Sequence, residues 1–563
     1  MGKLFYQRLR SELKARQLAG NLRELPLVSF QGDNIMLDNM PYIDLSSNDY
    51  LCIARDPKFF TTFIETMLDS KSTGSQFAGE FLISAISAGS TGSRLLTGNH
   101  TAYYFAEDLI ASLFNGSMFS SINGEDESSL YGVSASANTP KYDEAAKDEV
   151  EAFKQGSCCC ADSDSGNCSQ ASSAYAFSTD GVGDDLKLAS SDPITGAVNQ
   201  ELDTKDLSES AVQEQDNANS SSLIDDDGAA IKARASKRVP KGGSEINDYD
   251  ALASEEDRTG YKAPDVKARA CLYLNSGFDA NSGVLSALFG KHDLLLVDKL
   301  SHASIIDGML HSEAKALRYA HNDMQHLEQL LQKHAHEYES VVIVTESVFS
   351  MDGDQAKLKE IVALKERYDN VLLYVDEAHS FGLFGDDGLG LCKELNLLDK
   401  VDFLMGTLGK AIGSHGAFLI CSKEVKDYLV NFMRPLIYST ALPPVNITFS
   451  MYVVGLLRAN AMHYKRDYLR KISSYLHSNL QELGISPSQS QIQPLITGDS
   501  QKALKAYAIF KDAGLLAMPI RHPTVPENKA RLRLSLNCNL RIDDIELISA
   551  LVKRNMSLFV QNA

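Results

Sequence analysis

The run Val371-Leu372-Leu373-Tyr374-Val375-Asp376-Glu377-Ala378-His379 is followed further along by Val401-Asp402-Phe403-Leu404-Met405-Gly406-Thr407-Leu408-Gly409-Lys410. Each half is a short apolar stretch that ends in polar, chemically capable groups. Its length and its richness in Val, Leu and aromatics suit a strand buried on both faces of a parallel sheet. In such sheets ligands bind beyond the carboxyl ends of the strands. Asp376, His379 and Lys410 fall at such ends. A carboxylate, an imidazole and an amine brought to one edge suit a carbonyl cofactor held as a Schiff base. Taken singly, an Asp after a strand is most often a helix cap, and a Lys after Gly is most often a solvated loop residue. Only the combination carries the chemical reading.

Working outward, Cys271–Leu274, Asp293–Val297, Val341–Thr345 and Gly416–Cys421 repeat the buried-strand pattern. After the first of these, Asn275-Ser276-Gly277-Phe278 opens a helix that continues to Phe289. Strand, small residues, then helix is how free amides and a helix dipole meet a phosphate, although the same turn is common without a ligand. Gly277 permits close backbone approach. His302 follows a strand, where a single His is more often structural. In Arg318-Tyr319-Ala320-His321-Asn322-Asp323, either Asn322 or Asp323 is placed to cap the next helix. Near the start, residues 3–25 have the apolar spacing of an amphipathic helix, closed by Arg23. Arg23 reads as a solvated charge at a helix C-terminus or as a cation for a substrate carboxylate. Gly32 to Leu45 reads as a hairpin leading to the polar loop Ser46-Ser47-Asn48-Asp49-Tyr50-Leu51. The Gly-rich stretch 87–98 lacks Walker spacing and its Lys, and the helix Ala102–Phe114 follows it. Helical patterning from about 445 to 483 leads to a last, smaller α/β region. There Ala530-Arg531-Leu532-Arg533-Leu534 alternates as a half-exposed strand does, with Arg531 and Arg533 on one face. They are surface charges, or guanidinium groups able to bind a carboxylate bidentately.

Composition narrows the class. The 563 residues suffice for several domains. A net charge of −20 argues against nucleic-acid binding. That charge is uneven: residues 121–265 hold 30 Asp and Glu against 12 Lys and Arg, or −18. The segment 117–268 is poor in large apolar residues and reads as a disordered insertion, which loop-closure entropy tolerates. Its Cys158-Cys159-Cys160 and Cys168 lack zinc-site spacing, and the basic island Lys232–Lys241 reads as solvated. The other cysteines sit mostly among apolar neighbours, as reduced core residues of a cytosolic protein do. No stretch approaches the ~20 apolar residues of a membrane span. The start of the chain lacks a signal core, so a cytoplasmic location is the expectation.

As a set, Ser-Asn-Asp-Tyr-Leu, Asp376-Glu377-Ala378-His379-Ser380-Phe381-Gly382 and Thr407-Leu408-Gly409-Lys410 resemble the α-oxoamine synthases. These are fold-type-I enzymes that use pyridoxal phosphate to condense an amino acid with an acyl thioester, losing carbon dioxide. The resemblance covers residues 1–116 and 269–563. It implies an α/β fold whose large domain has a mainly parallel seven-stranded sheet between helices, plus a smaller C-terminal α/β domain. The expected boundaries are 1–50 for an N-terminal helix and hairpin, 51–455 for the cofactor-binding domain with its insertion, and 456–563 for the small domain. By resemblance, Lys410 carries the cofactor, Asp376 pairs with its ring nitrogen and His302 stacks on its ring. Ser350 and His379 lie near the ring hydroxyl. Gly277, Phe278, Thr407 and, from a partner subunit, Thr440 hold the phosphate. Asn48, His302 and Arg533 meet the amino acid, and Arg23 or Thr524 the acyl chain. A homodimer with shared active sites is implied. The C-terminal Arg521-His522-Pro523-Thr524-Val525-Pro526 is most similar to the branch that joins L-alanine to a pimeloyl thioester in biotin biosynthesis. The thioester is carried by coenzyme A or an acyl carrier protein. Two alternatives stand beside it: a synthase using glycine or serine (making aminoketobutyrate, aminolevulinate or a sphingoid base), and a non-catalytic scaffold subunit. Cys52 departs from the family, which usually has Gly there, and Thr73 to Ala88 looks a few residues longer than usual.

Overall fold

The computed structural model describes residues 2–18, 22, 25–69, 87–115 and 269–560. Arg23, the lengthened stretch from Thr73 to residue 86, and the insertion 117–268 with its cysteines and basic island lie outside the described residues.

The first helix, α1 (Gly2–Leu18), is shorter than the 3–25 spacing suggests, and Leu4, Phe5, Leu9, Leu13 and Leu18 are exposed in the single chain. The expected hairpin gains a strand: Val28–Gln31 (β1), Asn34–Leu37 (β2) and Met40–Asp44 (β3) form an antiparallel meander. Its tight connections use Gly32 and then Asp38-Asn39 at positive φ, the conformation that two-residue hairpin turns require. Helices α2 (Pro57–Asp69) and α3 (Thr101–Asn115) follow.

Seven strands then build the central sheet: Arg269–Leu274 (β4), Asp293–Asp298 (β5), Lys315–Tyr319 (β6), Ser340–Glu346 (β7), Val371–Asp376 (β8), Phe403–Thr407 (β9) and Ala417–Ser422 (β10). Their order is β4-β10-β9-β8-β7-β5-β6. Every pairing is parallel except the two made by β10. Crossovers include α4 (Gly277–Leu288), α5 (Ala303–His311), α6 (Met324–His334) and α7 (Leu358–Lys365). Asp323 is the residue that caps α6, its carboxylate accepting the N–H of His326. One sheet face, including Leu295, Val297, Val342, Val344 and Met405, packs on Ala280, Val284, Leu285, Ile305 and Met309 of α4 and α5. Each such Val, Leu or Ile removes enough apolar surface to contribute about 1.5–3 kcal/mol. The two-sided burial explains why these strands read as unbroken apolar runs.

The helical pattern from 445 to 483 is two helices, separate from α8 (Lys423–Phe432): α9 (Pro444–Arg458) and α10 (His463–Glu482). They break at Asn460, which sits at positive φ. The last region pairs Ile492–Gly498 (β11) with Ala530–Ser535 (β14), and β14 with Pro519–Ile520 (β13). Helices α11 (Ser500–Asp512) and α12 (Ile542–Arg554) accompany this sheet. Leu515–Leu516 (β12) instead pairs in parallel with β3, so the meander is completed by residues near the end of the chain. Among the described residues no helix is long and apolar enough to cross a membrane.

Gly406 shows how tightly β9 meets β10. A Cβ built there would lie 2.3 Å from the Phe418 ring, on the residue registered opposite. Gly406→Ala is expected to cost about 1–3 kcal/mol, read as a lowered urea midpoint with an unchanged slope.

Candidate active site

Parallel pairing in register ends β7 and β8 side by side, with Glu346 opposite Asp376 and Asp376 opposite Met405 of β9. Polar residues that were far apart in sequence therefore gather beyond one sheet edge. Asp376 is 4% exposed. Its carboxylate accepts the Asn281 amide at 2.8 Å and the Ala378 N–H at 2.8 Å. The same Asn281 Nδ2 reaches Ser304 Oγ (2.9 Å), and Tyr374 donates to Asn281 Oδ1 (2.7 Å). One amide thus ties α4, α5 and β8 together.

His302 is the N-cap of α5, and its Nδ1 accepts the backbone N–H of Ser304. The proton of the neutral ring must then sit on Nε2. The residue is nevertheless exposed, so part of the ring stays open. Burial lowers its pKa and Lys410 adds to the effect, with Asp376 opposing. The backbone N–H of His302 donates to Glu346 Oε1 at 2.6 Å. Burial first, and the charge of Asp376 second, push the Glu346 carboxyl up to about 8.

Lys410 opens a turn within the connection 408–416 between β9 and β10, its carbonyl accepting the Gly413 N–H at 2.9 Å. Gly413, at positive φ, makes that turn, with no room for a Cβ against the Ala54 N–H and Ile53. The Lys410 amine lies 2.8 Å from His379 Nε2, and His379 Nδ1 lies 2.7 Å from the Tyr50 hydroxyl. Burial pulls the amine down to about 8; Asp376 and Glu346 oppose this and Arg533 assists. His379 is held well below the ordinary imidazole range by burial and by the neighbouring Lys410, Arg533 and His302.

Arg533 is buried in β14. It donates to Ser350 O (2.6 Å), Ser535 Oγ (2.6 Å) and Asn48 Oδ1 (3.2 Å). These acceptors are all neutral. Arg531, on the same face, pairs with Asp352 at 2.5 Å. The alternating pattern suggests a half-exposed strand, yet every residue of β14 is buried. The turn carrying Ser350 and Asp352 covers the arginine face, and neighbouring strands flank both edges. That turn is itself pinned by His321, which bridges Asp298 and Asp354 at 2.9 Å each. Burial opposes charge on His321, but the two carboxylates outweigh it and hold its pKa at about 10.

A second cluster lies at the N-terminus of α4, where Ser276 caps Asp279 N–H. The first N–H groups of a helix have no intrahelical acceptor. A Cβ on Gly277 would sit 3.7 Å from Thr407 Oγ1, in the space between those amides and the hydroxyl. Phe278 is exposed. Thr440 is exposed too, its carbonyl accepting from Asn275 at 2.9 Å. Thr524 lies on an exposed turn after the cis peptide His522–Pro523.

Lys410, His379, Asp376, His302, Ser350, Asn48 and Arg533 are thus brought to one edge, while Gly277, Phe278 and Thr407 gather at the start of α4. Sequence reasoning missed Glu346, Tyr50 and Asn281 as members of the site. Glu346 ends a buried strand just as Asp376 does, and that signal was available.

The sequence profile described as "Aminotransferase class I and II" matches residues 251–549, and the chain belongs to that family. Within it, the 8-amino-7-oxononanoate synthase of Chlorobaculum parvum is 46% identical over 284 residues, 50% of this chain and 72% of its own. A Glaesserella parasuis relative is 48% identical over 285 residues, covering 50% of this chain and 74% of its own. Among solved structures, Sphingomonas wittichii serine palmitoyltransferase superposes with a TM-score of 0.61 at 20% identity, over 98% of this chain and 96% of that one. At that identity the likeness concerns the fold: an α/β, fold-type-I arrangement with a mainly parallel seven-stranded sheet, as the sequence implied.

The lowered Lys410 pKa has a measurable sign. The neutral, reactive amine grows as pH rises through about 8, about two units below an ordinary lysine. Reductive labelling of cofactor-free protein with a small aldehyde, followed by peptide mass, should therefore reach half its plateau at Lys410 near pH 8. A midpoint near that of surface lysines would contradict the burial.

Proposed function

We propose that this chain is a pyridoxal-phosphate-dependent acyltransferase of the α-oxoamine synthase type. It joins L-alanine to a pimeloyl thioester, giving 8-amino-7-oxononanoate, carbon dioxide and a free thiol. The observation that carries the reading is the convergence on one site of Lys410, Asp376 and Arg533, whose hydrogen-bond acceptors among the described residues are all neutral. The donor set fits the cofactor. An amine is present for its aldehyde, a carboxylate for its ring nitrogen, an open imidazole for its ring, and helix amides with Thr407 for its phosphate. A serine palmitoyltransferase of the same fold, from S. paucimobilis, was solved with a bound pyridoxal phosphate adduct. The choice of L-alanine and pimeloyl thioester rests on the named relatives at 42–48% identity.

Each residue has a task its environment supports. Lys410 would hold the cofactor aldehyde and, once released, serves as the base that takes the α-proton of alanine onto Nζ. Its lowered pKa keeps part of it neutral near pH 8. Asp376 would hold the ring nitrogen, and His302 would cover the ring. His379 and Ser350 would flank the ring hydroxyl. Gly277, Phe278 and Thr407 would hold the phosphate. When bound, the cofactor supplies an electron sink for the carbanion at the amino acid's α-carbon. Arg533 binds the alanine carboxylate through its planar fork, and Asn48 orients that fork. Exposed Thr440 suits a contact across a homodimer that completes each site, and exposed Leu96 and Tyr438 are apolar surface such an interface would cover. Arg23 and Thr524 are assigned to the acyl chain by resemblance alone. A cytoplasmic setting accords with this chemistry.

The deciding assay supplies the purified chain with alanine, glycine or serine and a pimeloyl thioester, and measures thiol release. Alanine should exceed the other two by at least about tenfold, the scale of one small packing or contact difference. Preference for glycine or serine would move the protein to another branch. Lys410→Ala should abolish the borohydride-reducible cofactor adduct. Arg533→Lys should weaken alanine binding about 10- to 100-fold, from loss of a bidentate charged contact, with less effect on cofactor retention.

A further inference from the structure

We infer that Tyr50 is a positioning residue whose hydroxyl fixes the tautomer of His379 and so turns an imidazole lone pair toward Lys410. The inference deepens the proposed function and rests on its assignment of Lys410 as the reactive amine.

The argument starts from a group that can only donate. Arg533 has N–H groups and no acceptor, so the Asn48 atom 3.2 Å from its Nη2 is the carbonyl oxygen. The same Asn48 oxygen is 3.0 Å from the Tyr50 hydroxyl, which must donate to it. A phenol has one proton, and here it is committed to Asn48. The Tyr50 oxygen can therefore only accept from His379 Nδ1, 2.7 Å away. The His379 proton then sits on Nδ1, which leaves Nε2 as an acceptor 2.8 Å from Lys410 Nζ.

The geometry leaves little slack. Tyr50 is fully buried, and burial raises its pKa, so it remains a phenol. Gln491 donates to the His379 carbonyl at 2.9 Å, fixing the backbone behind the ring. The chain of bonds runs without a break from the guanidinium proposed to bind the substrate carboxylate to the amine proposed to do the chemistry. The charged and titratable groups around Lys410 are Asp376, Glu346, Arg533, His302 and His379. Of these, His379 is the one whose hydrogen-bonding sense depends on Tyr50.

Removing the hydroxyl has a directional outcome. In Tyr50→Phe, a proton left on Nδ1 would be buried without an acceptor, which is costly. It moves to Nε2 and faces Lys410. The amine can then only accept, which requires its neutral form, so its pKa falls further. The test uses the full-length, cofactor-free chain labelled with ¹⁵N-histidine, with His379→Gln to assign the signals. Wild type should show a protonated Nδ1 and a lone-pair Nε2 at His379, and Tyr50→Phe the reverse. The aldehyde-labelling midpoint of Lys410 should move down by about one pH unit in the variant. A wild-type spectrum with the proton on Nε2 overturns the inference, as does a variant with unchanged tautomer and midpoint. Should the variant fail to fold, the wild-type spectrum alone decides. Correct tautomers without product from alanine would count against the proposed function and leave this inference standing.

Discussion

Two N–H donors hold the Asp376 carboxylate at the end of β8, and the geometry of the candidate site depends on that arrangement. A carboxylate removed from water is costly unless its oxygens are hydrogen-bonded. Asn281 and Ala378 supply those bonds. Asn281 is oriented for this by donating its other N–H to Ser304 and accepting from Tyr374 at Oδ1. The constraint therefore spreads from one oxygen into α4, α5 and the core. It places the start of α4, with Gly277 and Phe278, in fixed relation to the strand that carries Asp376.

Charge balance is the second layer. Lys410 and Arg533 are two cations in a poorly hydrated place, with Asp376 and Glu346 opposite. Burial weakens the charge of Lys410 and of Glu346 alike, bringing both toward the same pH. The hydrogen-bond acceptors of Arg533 are all neutral, so among the described residues no carboxylate pairs with it directly. Arg531 shows the contrast: Asp352 pairs with it directly. One strand face thus holds a structural arginine beside one suited to an anion.

That contrast marks the limit of what the chain discloses before it folds. The sheet was legible because strands buried on both sides have an apolar signature, and Asp376, His379 and Lys410 were legible because they end such strands. The roles of Arg531 and Arg533 were not separable, since the difference between them is a turn some 180 positions away in sequence. Alternation made β14 look half-exposed, because a pattern of arginines and leucines cannot say whether another segment covers the arginines. Asn281 gave no local signal, as its partners come from distant parts of the chain, and the link from Tyr50 to His379 spans 329 positions although Tyr50 sits beside Asn48 in the same loop. The break between α9 and α10 hung on one Asn at positive φ inside an otherwise helical pattern.

The pairing of β3 with β12, and of Asn48 with Arg533, has a consequence for how the molecule is made. Asn48 and Arg533 are 485 positions apart. At the usual pace of a ribosome, on the order of 25 to 100 s separates their synthesis. Until β12 follows, β3 lacks its parallel partner on one edge, and until Arg533 follows, Asn48 lacks the guanidinium that donates to it. The central sheet can close while the polypeptide is still being extended, but the candidate site lacks its guanidinium until β14 has been made.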